Sequence, residues 1–157
     1  MRYRFVNLFL IFYLEGAIVN CENKNIKLYM NDGKIFDGIL TLYEESPDDE
    51  EMVLIVLSIL GHTISYQHEN FFQALQSLRQ NLEEKKIQIM CNGAALNIYP
   101  SQMQLSMGSG RLAYKLKFGK PAISEDIVDI FECEDDLKFV KIEDQLKYYY
   151  RWLKSLG

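Results

Sequence analysis

Residues 52–60, MVLIVLSIL, form an apolar run nine residues long. A bilayer span needs about 20 such residues. The β-branched Val53, Ile55, Val56 and Ile59 favour a strand over a helix. The run therefore predicts a central strand buried on both faces, and a chain that contains one must build a covered sheet around it. Gly61 then turns the chain into HTISYQ, read as the paired strand. Upstream, IKLYM (26–30) alternates in polarity and is followed by the turn signal Asn31-Asp32-Gly33 and by KIFDGILTLYEE. That pattern predicts a hairpin, with Gly38 marking a bulge.

Downstream, the pattern changes to helical. Asn70 can cap, Gln73 stands three residues later as in a capping box, and Phe71, Phe72, Leu75, Leu78 and Leu82 make one apolar stripe. Gln76, Arg79 and Glu83 are expected toward solvent, with Lys85 and Lys86 at the negative helix end. IQIMC (87–91) reads as a strand, and Pro100 starts a turn or short helix. ISEDIVDIFE fits a short helix capped by Ser124 or an edge strand. The final EDQLKYYYRWLKSLG predicts an amphipathic helix that buries Leu146, Tyr149, Tyr150 and Leu153. The inferred class is α+β, an antiparallel or mixed sheet of five or six strands with two main helices. Residues 26–157 read as a single domain, preceded by an apolar extension over 1–25.

One stretch imitates a cofactor site. GSGRLA (108–113) fits the loose dinucleotide fingerprint G-x-G-x-x-G/A. That fingerprint requires a helix after the glycines, because the helix N-terminus holds the pyrophosphate. Here Leu112, Tyr114, Leu116 and Phe118 alternate with Arg111, Ala113, Lys115 and Lys117, which is a strand period. Gly108 and Gly110 are thus expected to turn the backbone with positive φ, and no cofactor is called for.

Three cysteines (Cys21, Cys91, Cys133) without a C-x-x-C pair, and two histidines (His62, His68) without a nearby Cys, give no zinc pattern. No G-x-S-x-G elbow is present. Cys91 ends an apolar strand and reads as a core residue. No catalytic or metal residue is assigned. The net charge of −5 argues against general nucleic-acid binding, which needs basic surface, and is compatible with a basic partner. At the N-terminus, Arg2 and Arg4 precede the apolar stretch Phe5 to Leu14, as in a secretory signal. Glu15 and the lack of an A-x-A site count against one. Two readings stay open: an apolar element packed on or beside the domain, or a signal or anchor giving membrane association through residues 1–20.

The sharpest charge feature is EESPDDEE (44–51), where Glu44, Glu45, Asp48, Asp49, Glu50 and Glu51 surround Ser46 and Pro47. It lacks the spacing of a calcium loop. It reads either as a recognition surface for a basic groove or as a solvated loop. Tyr148, Tyr149, Tyr150 and Trp152 cannot all face one core, so at least one of the three tyrosines is expected at the surface.

ENFF (69–72), CNGA (91–94), YPSQM (99–103), MGSGRLAYKL (107–116) and VDIFE (128–132) form a series. In it the chain resembles small bacterial immunity proteins of polymorphic and contact-dependent growth-inhibition toxin systems. The resemblance spans residues 69–132 and extends more weakly back to residue 26. It implies a cytoplasmic, non-enzymatic toxin inhibitor that binds the C-terminal domain of a cognate toxin, often a nuclease. It transfers no binding residues, so the toxin-binding assignment to the six acids rests on charge alone. The contrasting expectation is a small secreted or membrane-tethered binding module.

Overall fold

The computed structural model describes residues 12–14 and 17–157. Strands β1 (Phe12–Leu14) and β2 (Ala17–Val19) pair as an antiparallel hairpin. The rest of the apolar N-terminal stretch, and with it the choice between packed element and signal or anchor, lies outside the described residues. Among the described residues no helix is long and apolar enough to cross a membrane.

The fold is α+β: the described residues form, besides this pair, a five-stranded antiparallel sheet, a small second sheet and three α-helices. Four strands follow one another as a meander: β3 (Glu22–Met30), β4 (Ile35–Tyr43), β5 (Val53–Ile59) and β6 (His62–His68). The Asn-Asp-Gly turn joins β3 to β4, with Gly33 at φ +82°. Leu60 and Gly61, at φ 47° and 79°, join β5 to β6 in the two-residue, type I′-like geometry that suits the sheet's twist. The apolar run is β5, second from the edge. One of its faces is buried and the other, with Leu54 and Val56, is half-buried, because only one side of the sheet is fully covered. Gly38 is not a bulge: β3 and β4 keep one register from Glu22↔Leu42 to Tyr29↔Ile35, with Ile26 opposite Gly38. A Cβ there would sit 2.6 Å from Ile59 Cγ2, so glycine is needed for close packing.

Helix α1 (Phe71–Glu84) covers the sheet. Asn70 Oδ1 accepts from Gln73 N at 2.9 Å, as the cap signal predicts, and Phe71, Phe72, Leu75, Leu78 and Leu82 are all buried. After α1, β7 (Ile87–Met90) pairs with β3 and completes the order β6-β5-β4-β3-β7. A 3₁₀ turn at Asn92–Ala94 leads to β8 (Ile98–Tyr99), α2 (Gln102–Met107), β9 (Leu112–Lys115) and β10 (Ile127–Asp129). Strands β8, β9 and β10 form the second sheet, in the order β10-β9-β8. The complete capping box belongs to α2, between Ser101 and Gln104. ISEDIVDIFE resolves into a 3₁₀ turn, Ser124–Asp126, followed by the edge strand β10, with Ile123 rather than Ser124 at the cap position.

Two expectations about orientation, for Arg79 and for α3, are overturned, and β9 shows which of its faces is buried. Arg79 is 1% exposed rather than facing solvent. In β9 it is Ala113 that is buried, while Leu112 is exposed, and the strand ends before the buried Leu116 and the exposed Phe118. In α3 (Ile142–Ser155), Gln145 and Trp152 are buried, whereas Tyr150 and Leu153 are exposed. Polar satisfaction explains Arg79 and α3. Gln145 Oε1 accepts from Arg79 Nη1 at 2.6 Å, and its Nε2 lies 2.9 Å from the carbonyls of Gly93, Ala95 and Ile98. Arg79 also donates to Gln76 Oε1, Gly93 O and Val140 O. Trp152 Nε1 donates to Lys117 O and Lys120 O, both at 3.1 Å. Buried polar groups need such partners, so α3 turns its hydrogen-bonding residues inward at the expense of its apolar stripe. Glu83, half-buried, accepts from Ile142 N at the start of α3.

Candidate interaction surface

The acidic loop is rooted in the sheet and internally bonded. Ser46 N donates to Met52 O at 2.7 Å, Asp49 N to Ser46 O, and Met52 N to Asp49 O. The buried Ser46 donates its hydroxyl to Gln67 Oε1 on β6 at 2.6 Å. Asp49, half-buried, accepts from Glu51 N at 3.1 Å and holds the tip of the loop. Glu44 lies 3.8 Å from Arg111 Nη1. The six acids therefore divide. Glu44 and Asp49 have structural partners. The carboxylates of Glu45, Asp48, Glu50 and Glu51 are exposed and make no ion pair among the described residues. The loop thus presents four free negative charges on an ordered backbone, which lowers the ordering cost of binding.

Behind it lies an ion-pair collar that joins the two sheets. Arg111 reaches Glu22 at 2.7 Å and Asp129 at 2.9 Å. Lys24 pairs with Glu22 at 3.3 Å and with Glu132. The hydrogen bond from Arg111 is the chief reason that the Glu22 carboxyl titrates below its usual value. Burial works against the charge of Arg111, but Glu22 and Asp129 outweigh it and hold its pKa above the usual value. Sequence reasoning missed Arg111 and Lys24 as anchors. Their partners come from residues 22, 44, 129 and 132, which no local pattern brings together.

The glycine motif at residues 108–113 is a turn into β9. Gly110 has φ +68°, but Gly108 has φ −123°, and Ser109, at φ 53°, supplies the other left-handed residue. The carbonyl of Ser109 accepts from Phe71 N at 2.7 Å, and a Cβ on Gly110 would fall 2.8 Å from Asn70 Oδ1. The turn thus packs against the N-terminus of α1 and uses the amide that an anion would need there.

His62 and His68 lie in β6 and Cys91 follows β7, at opposite edges of the five-stranded sheet. Cys91 is fully buried and desolvation pushes its pKa up to about 12, so it is a poor nucleophile. His68 Nε2 lies 2.8 Å from Ser77 Oγ. No group of three or more His, Cys, Asp or Glu able to hold a metal occurs among the described residues. A shallow depression of about 640 Å³ on the open face of the sheet contains Lys27 and Asp37, which pair with each other at 2.9 Å. On α3, Tyr149 stacks on Tyr99 at 4.2 Å between ring centroids, and Tyr150 is 55% exposed, so one of the three tyrosines does face outward. No family model matches the sequence, and no curated protein matches it.

Proposed function

We propose that this chain is an immunity protein that binds a cognate toxin domain one to one in the cytoplasm and blocks it by direct contact, without catalysis of its own. The toxin domain is basic, as a nuclease that grips phosphates must be. The observation that carries this reading is the ordered loop 44–51, whose Glu45, Asp48, Glu50 and Glu51 are exposed and unpaired among the described residues. Such a surface complements a cationic nucleic-acid groove and accelerates encounter through long-range attraction. The motif series over residues 69–132 supports the same class. The test is a toxin-activity assay with the purified chain added at increasing ratio. Loss of toxin activity that is complete at equimolar chain supports the proposal. Full toxin activity in excess chain refutes it.

A further inference from the structure

Strand β6 forms one edge of the five-stranded sheet, and its outward backbone groups have no strand partner among the described residues. Edge strands in stable monomers usually carry a lysine, a proline, a bulge or a short length that prevents further pairing. His62–His68, HTISYQH, has none of these. It is seven residues long, carries no Asp, Glu, Lys or Arg, and pairs with β5 in one unbroken register from Val53↔His68 to Ile59↔His62. The opposite edge differs: β7 is four residues long, and Gln88 turns its own side-chain amide onto Ile89 O.

We infer that β6 is a self-association edge, where a second copy of this chain adds its own β6 antiparallel about a two-fold axis through Ser65. The strand is self-complementary about that residue. The axis places Ser65 opposite itself, Ile64 opposite Tyr66, Thr63 opposite Gln67, and His62 opposite His68. Ile64 and Tyr66 are the half-buried residues that pack against the core, so their pairing extends the core across the junction. Thr63, Ser65 and Gln67 are exposed, so polar side chains meet on the other face. A register shifted by one residue would bring core-side residues opposite open-face ones and put the second copy's helix on the wrong side. The axis at Ser65 keeps the two α1 helices on one side and pairs all seven residues. It forms about six to eight backbone hydrogen bonds, because antiparallel pairs exchange two bonds at every second position. Each chain carries a net charge of −5, and a charge-free strand is where two such chains meet without opposing carboxylates.

The test of this edge contains no toxin, so its failure and the failure of the proposed function are distinguishable. The full chain is followed by sedimentation equilibrium over a concentration series, beside Ser65→Lys and Ser65→Glu. Because Ser65 is exposed, both variants are expected to keep the wild-type far-UV spectrum and melting temperature, which verifies the fold. The wild type is expected to dimerise. Each variant alone is expected to raise the dimer dissociation constant about tenfold or more, because like charges then face each other at the axis. An equimolar mixture of the two variants is expected to restore the dimer as a heterodimer, which follows only if residue 65 opposes itself. A wild type that is monomeric at every concentration would overturn the inference. So would a Ser65→Lys dimer of wild-type affinity, or a mixture that gives no heterodimer.

Discussion

Gln145→Leu tests how the helices are locked together. The substitution nearly keeps side-chain volume and removes the amide. It withdraws the 2.6 Å acceptor from the guanidinium of Arg79 and the donor that serves the carbonyls of Gly93, Ala95 and Ile98. Arg79 is 1% exposed and has no carboxylate within ion-pair reach among the described residues; burial pushes its pKa down. A hydrogen bond to a charged group is worth about 1.5–3 kcal/mol and each neutral one about 1 kcal/mol. The loss should therefore be about 3–5 kcal/mol, a large part of a typical domain's stability. Arg79→Met alone also destabilises, but in the double variant the stranded charge is gone. Replacing both members of a buried polar pair by apolar groups is far less harmful than removing one. The double variant should thus be more stable than the sum of the single losses predicts, by about 2 kcal/mol, or roughly thirtyfold in the folding equilibrium. Urea denaturation of the four proteins measures this coupling. Additivity within about 0.5 kcal/mol would refute the account of Arg79 and Gln145 as one unit.

Other outcomes follow from single sites. Leu60 is 77% exposed and held at φ 47° in the β5–β6 turn, where asparagine is favoured. Leu60→Asn should therefore stabilise the chain by about 0.5–1 kcal/mol in the same denaturation assay; a destabilised variant would contradict the turn assignment. Thiol labelling of the native chain should modify Cys133, which is exposed, and spare Cys21 and Cys91, which are buried, until denaturant is added. Labelling of native Cys91, read by mass spectrometry, would contradict its place in the core. For pH, the Glu22 carboxyl titrates below its usual value of 4.5 when folded. Its contribution to stability is therefore present above that pH and is lost as pH falls through the lower, folded value. The acid limb of a stability–pH profile should be shallower in Glu22→Gln, and an unchanged limb would count against the collar.

Local signals carried most of the fold. The cap at Asn70, the Asn-Asp-Gly turn and the turn before β9 were legible because each depends on residues adjacent in sequence. The errors have a common cause. Hydrophobic period, which ranks Arg and Gln as surface residues, predicts neither the burial of Arg79 nor the inward face of α3. Both are buried because carbonyls from Gly93 to Ile98 need donors in the interior, a demand that sequence spacing does not reveal. The alternation at residues 111–118 predicts the strand β9 but not which face is buried, and it is Ala113 that packs inward. The acidic loop was visible as composition. Asp49 is held by the Glu51 amide within the loop, but the anchoring of Glu44 depends on Arg111, more than 50 residues away in the chain.

The most direct test of the proposed function is calorimetric titration of the chain with its cognate toxin domain at low and moderate salt, beside a variant carrying Glu45→Gln, Asp48→Asn, Glu50→Gln and Glu51→Gln. Among the described residues these four side chains make no hydrogen bond or ion pair, so the variant should remain as stable as the parent. The account predicts a one-to-one complex that weakens as salt rises, and a variant that binds more weakly at low salt and responds less to salt. Equal affinity and equal salt response in parent and variant would remove the loop from the interface, and no heat of binding in either would contradict the immunity reading itself.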